Sequence, residues 1–430
     1  MLDISETVTI REFDVLFRDE GSASTVGTSI PGDDWDWLLK VCLSRSGPDV
    51  FRLQIREGKQ CLQARNYVGS LETPHGLRIE ILPKVSEVDE GIAVSRLILL
   101  KMLKRVLKLK MTTWKSAHLE TLKQPLHEIL ISLFLDEVEY LVKKGIRSEY
   151  LLQRDEQPFL RGRLLVEQQL NRRPGAKPEF AIEYHEFLPD RPENRLIHSA
   201  VVAVSQWASS SRNQQRARTL RFQLDGIPLS TGYKQDFQKW SHDRGLIDYR
   251  DLRGWCELIL NEQTPHTLAG GNLGMAFLFP MEMLFERYVA AILRRKLPSG
   301  YSLKEQAKAH SLVCHRNQNW FLLKPDLLVL DSQGRCLQVL DTKWKRLDSQ
   351  KDDGSKKYGL SQSDFYQMAA YGQKYLGGEG EMFLIYPRSS RFQEPLDPFD
   401  FTDKLRLRVV PFDLERDELA LPGALTMLKM

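Results

Sequence analysis

Short alternating runs of apolar and polar residues fill the first part of the chain and predict β-strands. Val50–Ile55 and Leu77–Leu82 both alternate; in the second, Leu77, Ile79 and Ile81 share one face while Arg78 and Glu80 take the other. Gly47-Pro48, Gly58 and His75-Gly76 punctuate these runs, and Pro83 ends the last. From Gly91 the period lengthens. Ile92, Leu99, Leu103, Val106 and Leu107 recur at helical spacing, with Lys101, Lys104, Arg105 and Lys108 largely opposite. A second helix is predicted from about Leu126 to Lys144, with Leu126, Ile129, Leu130, Leu133 and Phe134 as its buried stripe and Gly145 as C-cap. A third spans roughly Glu193 to Ser209. An arginine-dense polar stretch, Arg161 to Lys177 with a turn at Pro174-Gly175, lies between these two helices.

Thr264–Gly274, with three glycines and a proline, is the strongest break in composition. Beyond it the pattern reads helix (about 281–296), strand (about 319–331), a turn at Gly334, strand (about 335–345), helix (about 362–376) and strand (about 382–387). The expected fold class is α/β plus α+β in three segments. Residues 1–88 form a β-rich domain, residues 89–268 a mainly helical middle region, and residues 269–430 an α/β domain with a central mixed sheet. A length of 430 residues fits two or three domains.

Composition narrows the class. At 42% hydrophobic and 27% charged, the chain has the make-up of a soluble globular protein. Its longest apolar stretch, Leu97–Leu109, is interrupted by four cations, which excludes a membrane span there. Five scattered cysteines without a C-x-x-C pair argue against a disulfide framework and a zinc site. With no export signal visible at the start, the expected location is cytoplasmic. A net charge of +4 is too small to indicate nucleic acid by itself, so any such surface must come from local clustering.

The chemistry concentrates in WFLLKPDLLVLDSQGRCLQVLDTKWK. Asp331 to Gly334 supply turn residues between two Leu/Val-rich flanks, and Leu337, Val339, Asp341 and Lys343 alternate onto one strand face. Pairing Leu330 with Arg335 would set Lys324 opposite Asp341 and Asp326 diagonally across from it, at about 7–8 Å between Cα atoms. Two such carboxylates can share a divalent cation, and Mg²⁺ needs only one or two as its protein anchor. Lys343 would then stand beside an attacking water or a developing phosphoryl charge. The plainer reading is an exposed Asp341/Lys343 pair, or a cross-strand pair of Asp341 with Lys324. The apolar flanks weigh against it, because unpartnered charges in a buried sheet cost several kcal/mol, about 2–7 for a polar group alone. The helix from Met281 carries Glu282 and Glu286 at the edge of its apolar face, either of which could be a third acidic ligand. Downstream, Gln367 and Tyr371 are i,i+4 neighbours and, with Asp364, could share a polar face.

Together, Glu286, Pro325-Asp326, Asp341-Thr342-Lys343 and Gln367-x-x-x-Tyr371 resemble the PD-(D/E)xK nuclease superfamily, in the branch with a Q-x-x-x-Y helix. The phrases GLRIEILPKV (76–85), FLRGRLL (159–165), PENRLIHSAV (192–201), MLFERYV (283–289) and VLDTKWK (339–345) are similar to the McrC family, the nuclease subunits of McrBC-type modification-dependent restriction systems. The resemblance implies that Asp326, Asp341 and Glu286 hold Mg²⁺ (or Mn²⁺), with Lys343 catalytic and Gln367, Tyr371 and Asp364 supporting. It selects Glu286 over Glu282 because the family's glutamate follows Leu-Phe. It also implies a restriction-endonuclease-like C-terminal domain cutting double-stranded DNA, and an N-terminal part that docks on and stimulates a methylcytosine-reading McrB-like AAA+ GTPase hexamer.

No Walker-type phosphate loop is present, so this chain itself is expected to bind no nucleotide. Lys345, Arg346, Lys351, Lys356 and Lys357 follow the catalytic strand and are the expected phosphate contacts. Lys101, Lys104, Arg105 and Lys108, and Arg161, Arg163, Arg172 and Arg173, are weaker candidates. The same residues would also suit a RecB-like nuclease acting on DNA ends, or a retired nuclease fold that only docks and activates a GTPase.

Overall fold

The computed structural model describes residues 7–19, 27–44, 49–84, 91–107, 124–171, 179–241, 243–260 and 276–420. Lys108, Arg172, Arg173 and the break at Thr264–Gly274 lie outside them. The chain divides into two compact units, Met1–Leu126 with Pro265–Met430, and His127–Thr264. The N- and C-terminal segments, read from sequence as separate domains, therefore share one unit.

In that unit β1 (Thr7–Arg11), β2 (Val15–Arg18), β3 (Thr28–Ile30), β4 (Phe51–Arg56), β5 (Lys59–Ala64), β6 (Tyr67–Glu72) and β7 (Arg78–Leu82) confirm the β-rich start. They also enclose a helix the alternation did not reveal, α1 (Gly32–Leu43). Trp35 and Leu38 of α1 are buried in a core with Leu16, Leu62, Ile79 and Ile81. Helix α2 (Ile92–Val106) follows where the period changes.

The second unit holds α3 (Leu126–Lys144), which Gly145 ends with φ +97 and its N–H on Leu141 O, as a left-handed C-cap requires. Then come β8 (Glu149–Gln157), β9 (Arg163–Leu164), α4 (Val166–Leu170), β10 (Phe180–Leu188), α5 (Pro192–Trp207), α6 (Ser211–Gln223), α7 (Tyr233–Lys239) and α8 (Arg250–Leu260). Among these helices lies the sheet β8-β10-β9, whose strands the sequence reading did not place. Strand β8 has no buried residue and in β10 only Ala181, Ile182 and Tyr184 are buried, so the apolar alternation along these strands is weak. A buried carboxylate organises this unit. Glu128 accepts hydrogen bonds from Ser209, Ser210 and Asn213 at the start of α6. Burial alone would raise its pKa, but these donors outweigh it and hold the group below the usual carboxylate range.

The first unit resumes with β11 (Ala276–Pro280), which pairs antiparallel with β6 and completes the sheet β1-β7-β6-β11. Gly69 makes this possible: it sits at φ +135, and a Cβ there would lie 1.8 Å from Phe277 O. The chain passes directly into α9 (Met281–Lys296), whose Met281, Leu284, Phe285, Tyr288, Val289 and Ile292 are all buried, the stripe read from sequence.

A seven-stranded mixed sheet follows, built from β12 (Ser302–Glu305), β15 (Leu327–Leu330), β16 (Cys336–Thr342), β17 (Gly380–Pro387), β19 (Leu405–Asp413) and β18 (Phe399–Asp400) in that order, with β20 (Glu418–Leu419) on β19. The pairs β16–β17 and β17–β19 are parallel, and the others antiparallel. Helix α10 (Gln362–Tyr375) covers one face, packing Met368, Tyr371 and Tyr375 in a cluster with Val339, Met382 and Leu384. Helix α9 covers the other, where Phe285 meets Trp344 and Phe412. No described helix is long and apolar enough to cross a membrane.

The strand expected at 319–331 is two elements. Residues Gln318–Leu322 form β14, which pairs with β13 (Ser311–His315) in a separate hairpin, and only Leu327–Leu330 enter the large sheet. Pro325, which has no N–H to donate, lies in the gap between them.

Candidate active site

Asp341 is the last but one residue of β16 and is 1% exposed. The register corrects the sequence expectation by two residues: Leu327 pairs with Leu340, and a bulge between Val329 and Leu330 sets Leu330 against Cys336. Continued by one residue, this pairing brings Asp326, not Lys324, opposite Asp341. A shift of two preserves the face of every side chain. The two acids still converge, and more closely than in the diagonal arrangement.

Lys343 Nζ lies 2.7 Å from Asp341 Oδ2 and 4.0 Å from Asp364 Oδ1, and donates to Gln367 Oε1 at 3.2 Å. Gln367 Nε2 donates to the Tyr371 hydroxyl (2.7 Å), which donates to Lys324 O (2.9 Å). The i,i+4 pair on α10 therefore fixes the ammonium from one side and the approach to Asp326 from the other. Tyr386 donates to Asp364 Oδ2 at 3.3 Å. Asp326 is oriented by Thr342, whose backbone N–H and hydroxyl both donate to its Oδ2, at 2.7 and 2.8 Å.

Glu286 reaches the site from α9, across the sheet from α10. Gln306 ties it in, donating from Nε2 to Glu286 Oε1 (3.1 Å) and from its backbone N–H to Asp326 O (2.8 Å). Glu282 instead accepts from Asn66 at 2.8 Å. Sequence reasoning missed Gln306 and Thr342. Thr342 sits inside the motif, but nothing local marks Gln306, which acts through its place beside Asp326.

Electrostatics bind the acids into one system. Burial, then repulsion from Asp326, pushes Asp341 up to about 7, although the Lys343 ammonium draws it down. Asp326 is raised chiefly by burial, against the pull of its Thr342 bonds. Glu286 is raised by burial and by Asp326. Burial lowers Lys343, but Asp341 and Asp364 outweigh it and the net shift is upward. Asp341 Oδ2 is buried, with the Lys343 ammonium 2.7 Å away. Among the described residues no three His, Cys, Asp or Glu side chains are arranged to hold a metal ion. Two carboxylates such as Asp326 and Asp341 can anchor a hard cation that keeps several waters, the way Mg²⁺ is commonly bound.

Behind the site, Trp344 turns to the opposite sheet face and donates to both oxygens of Glu12, at 3.1 and 3.0 Å. Lys84 N–H donates to the same carboxylate, and Arg346 donates twice to Lys84 O. Arg346 therefore ties the strand exit to the segment that follows β7. Lys345, Lys351, Lys356 and Lys357 are exposed. Lys351 and Lys356 lie 3.5 and 3.6 Å from Asp348 and Asp353. Lys101 is engaged within the chain by Leu414 O, Glu415 O and Asp417, and Arg161 stacks over Tyr184.

Burial pushes Glu12 up to about 8 despite these donors. The folded chain thus prefers it protonated, so the stability it contributes is full below its ordinary pKa of 4.5 and is lost as pH rises through about 8. Glu12→Gln is expected to flatten the fall in thermal stability over that window. The flattening amounts to several kcal/mol at about 1.4 kcal/mol per pKa unit. Melts at half-unit pH steps would show it; a wild-type slope in the variant would contradict the assignment.

Fold and site together define a mixed α/β protein with a buried carboxylate–lysine cluster at the C-terminal end of a central strand of its main sheet. The chain belongs to the family described as McrBC 5-methylcytosine restriction system component, whose profile matches residues 62–387. Among solved structures, a chain of the refined half-complex from the tetradecameric assembly of Thermococcus gammatolerans McrB AAA+ hexamers with bound McrC is similar in fold. The match has a TM-score of 0.66 at 21% identity and covers 98% of each chain. A chain of the cryo-EM structure of the Thermococcus gammatolerans McrBC complex matches at 23% identity and TM-score 0.49, over 68% of this chain and 88% of that one. Comparison with curated proteins gives no match.

Proposed function

We propose that the chain is the DNA-cleaving subunit of a modification-dependent restriction system, with a PD-(D/E)xK site formed by Asp326, Asp341, Lys343 and Glu286. The observation that carries this reading is the ion pair of buried Asp341 with Lys343, set beside Asp326, in a chain of the McrBC family. Asp326 and Asp341 would hold Mg²⁺ (or Mn²⁺), with Glu286, linked to Asp326 through Gln306, as the third acidic ligand. When bound, the ion supplies Lewis-acid chemistry, neutralising phosphate charge and activating water. The protein's own part is positional and electrostatic. Gln367 and Asp364 hold the Lys343 ammonium where negative charge develops on the scissile phosphate. Tyr371 fixes Gln367, and Thr342 keeps Asp326 aimed. Lys345, Lys351, Lys356 and Lys357 would meet the phosphates of double-stranded DNA.

The partner in this reading is an AAA+ GTPase ring of the McrB kind that reads methylcytosine and that this chain docks on and stimulates. The similar Thermococcus gammatolerans structure, in which McrC is bound to McrB AAA+ hexamers, supports it through the shared fold. The test is a circular plasmid, methylated or unmethylated, incubated with the chain, its AAA+ partner, GTP and Mg²⁺. Linear product from methylated circles alone is expected. Intact circles with both Mg²⁺ and Mn²⁺ would refute the nuclease assignment, and cutting only of linear ends would point to an end-dependent enzyme.

A further inference from the structure

Between Glu305 and Asp326 the chain leaves the main sheet, forms the hairpin β13–β14 and returns. The hairpin pairs Val313 with Trp320 and His315 with Gln318. Its turn residues Arg316 and Asn317 sit at φ 49 and 60, the two-residue connection with both central residues left-handed. All of β14 and four of the five residues of β13 are exposed. Trp320 and Phe321 are 46% and 68% exposed. Phe321 is held at φ 57, a left-handed backbone that bulky residues avoid and that persists where a structure has a use for it.

Charge selects the occupant. From Gln306 to Lys324 there is no Asp or Glu, while Lys308, Arg316 and Lys324 are cationic, with His310 and His315 among them. All five are exposed, and none makes an ion pair among the described residues. His315 packs edge-on to Trp320 at 5.2 Å, and Trp320 to Phe321 at 6.4 Å. Both feet of the hairpin are rooted in the candidate active site. Tyr375 donates to Ala307 O (3.3 Å) and Leu323 O (3.0 Å), Tyr371 to Lys324 O, and Gln306 bridges Glu286 and Asp326.

We propose that this hairpin is a DNA-gripping arm of the site, with Trp320 and Phe321 packing against bases or sugars and Lys308, Arg316 and Lys324 meeting phosphates. Exposed aromatics beside unpaired cations are the combination that holds a nucleic-acid strand without reading its sequence. An acidic protein partner would suit the cations, but not an arm rooted at the residues proposed to face the scissile phosphate. The proposal rests on the nuclease reading, so its test measures binding rather than cutting.

The full chain is titrated into a fluorescently labelled duplex of about 30 base pairs, with Ca²⁺ replacing Mg²⁺, over a series of salt concentrations. Trp320→Ala with Phe321→Ala is expected to raise Kd about tenfold or more. Lys308→Ala with Arg316→Ala should lower the slope of log Kd against log salt by about one for each phosphate no longer neutralised. Phe222→Ala, at an 82% exposed aromatic in the other unit, should change neither. Unchanged melting temperatures show that the variants fold. If the wild type binds and both hairpin variants bind equally well with the same salt slope, the arm is refuted and the nuclease reading stands. A wild type that binds no duplex refutes both. If the aromatic double variant keeps DNA affinity but loses a second copy or the AAA+ ring in sedimentation, the hairpin is a protein-docking surface and the proposal falls.

Discussion

Asp341→Asn is expected to lower Mg²⁺-dependent cleavage by at least about 10³-fold, from the loss of both a metal anchor and the charge it neutralises. The chain should remain folded and still stimulate its GTPase partner. Two further readouts separate loss of the metal site from a merely structural defect. In the wild type, burial and Asp326 hold Asp341 up at about 7, so its contribution to stability is full below the ordinary 3.8 and is lost as pH rises through 7. Asparagine does not titrate, and that part of the pH dependence should vanish from thermal melts. Added Mg²⁺ should raise the melting temperature of the wild type at pH 8, because ligand binding favours the folded state, and should raise that of the variant little. A variant that cuts at the wild-type rate, or is stabilised by Mg²⁺ to the wild-type extent, would remove Asp341 from the metal site.

Lys343→Met should give the complementary pattern, with cleavage reduced about 10²–10³-fold while the cation response survives. The ammonium sits 2.7 Å from the same oxygen a cation would use. Removing it leaves Asp341 without its counter-charge, so the stabilisation by Mg²⁺ should equal or exceed that of the wild type. Single-turnover cleavage and Mg²⁺-dependent melts on one preparation measure both. If Lys343→Met abolishes the cation response along with cleavage, the lysine maintains the geometry of the acids rather than acting on the phosphate. Activity at the wild-type level would exclude it from the chemistry.

Much of the site is legible in the sequence because its residues lie on elements whose patterns are local. Alternation along β16 places Asp341 and Lys343 on one face. Helical periodicity marks α9 and α10, and i,i+4 spacing joins Gln367 to Tyr371, hydrogen-bonded at 2.7 Å in the structure. The partner of Asp341 is less legible. The turn sets Leu330 against Cys336 instead of Arg335, a bulge at Val329/Leu330 adds a second residue of shift, and Pro325 keeps Lys324 out of the sheet. Bulges follow from strain and packing across strands, and local composition does not record them. Gln306, Glu12 and Trp344 are further cases. Each matters through a neighbour distant in sequence, as in the bond from Trp344 to Glu12, more than three hundred residues apart.

The sequence by itself determined the elements that carry the chemistry and the faces they present, since period and turn residues act over a few positions. Tertiary structure decided that β11 joins β6, so that the two ends of the chain share a unit, and that Asp326 stands opposite Asp341. It also turned Arg346 inward to Lys84 and left the β13–β14 hairpin outside the sheet. The reason is physical: pairing partners, burial and the resulting shifts in acidity depend on which surfaces meet, and that is fixed only when distant segments pack.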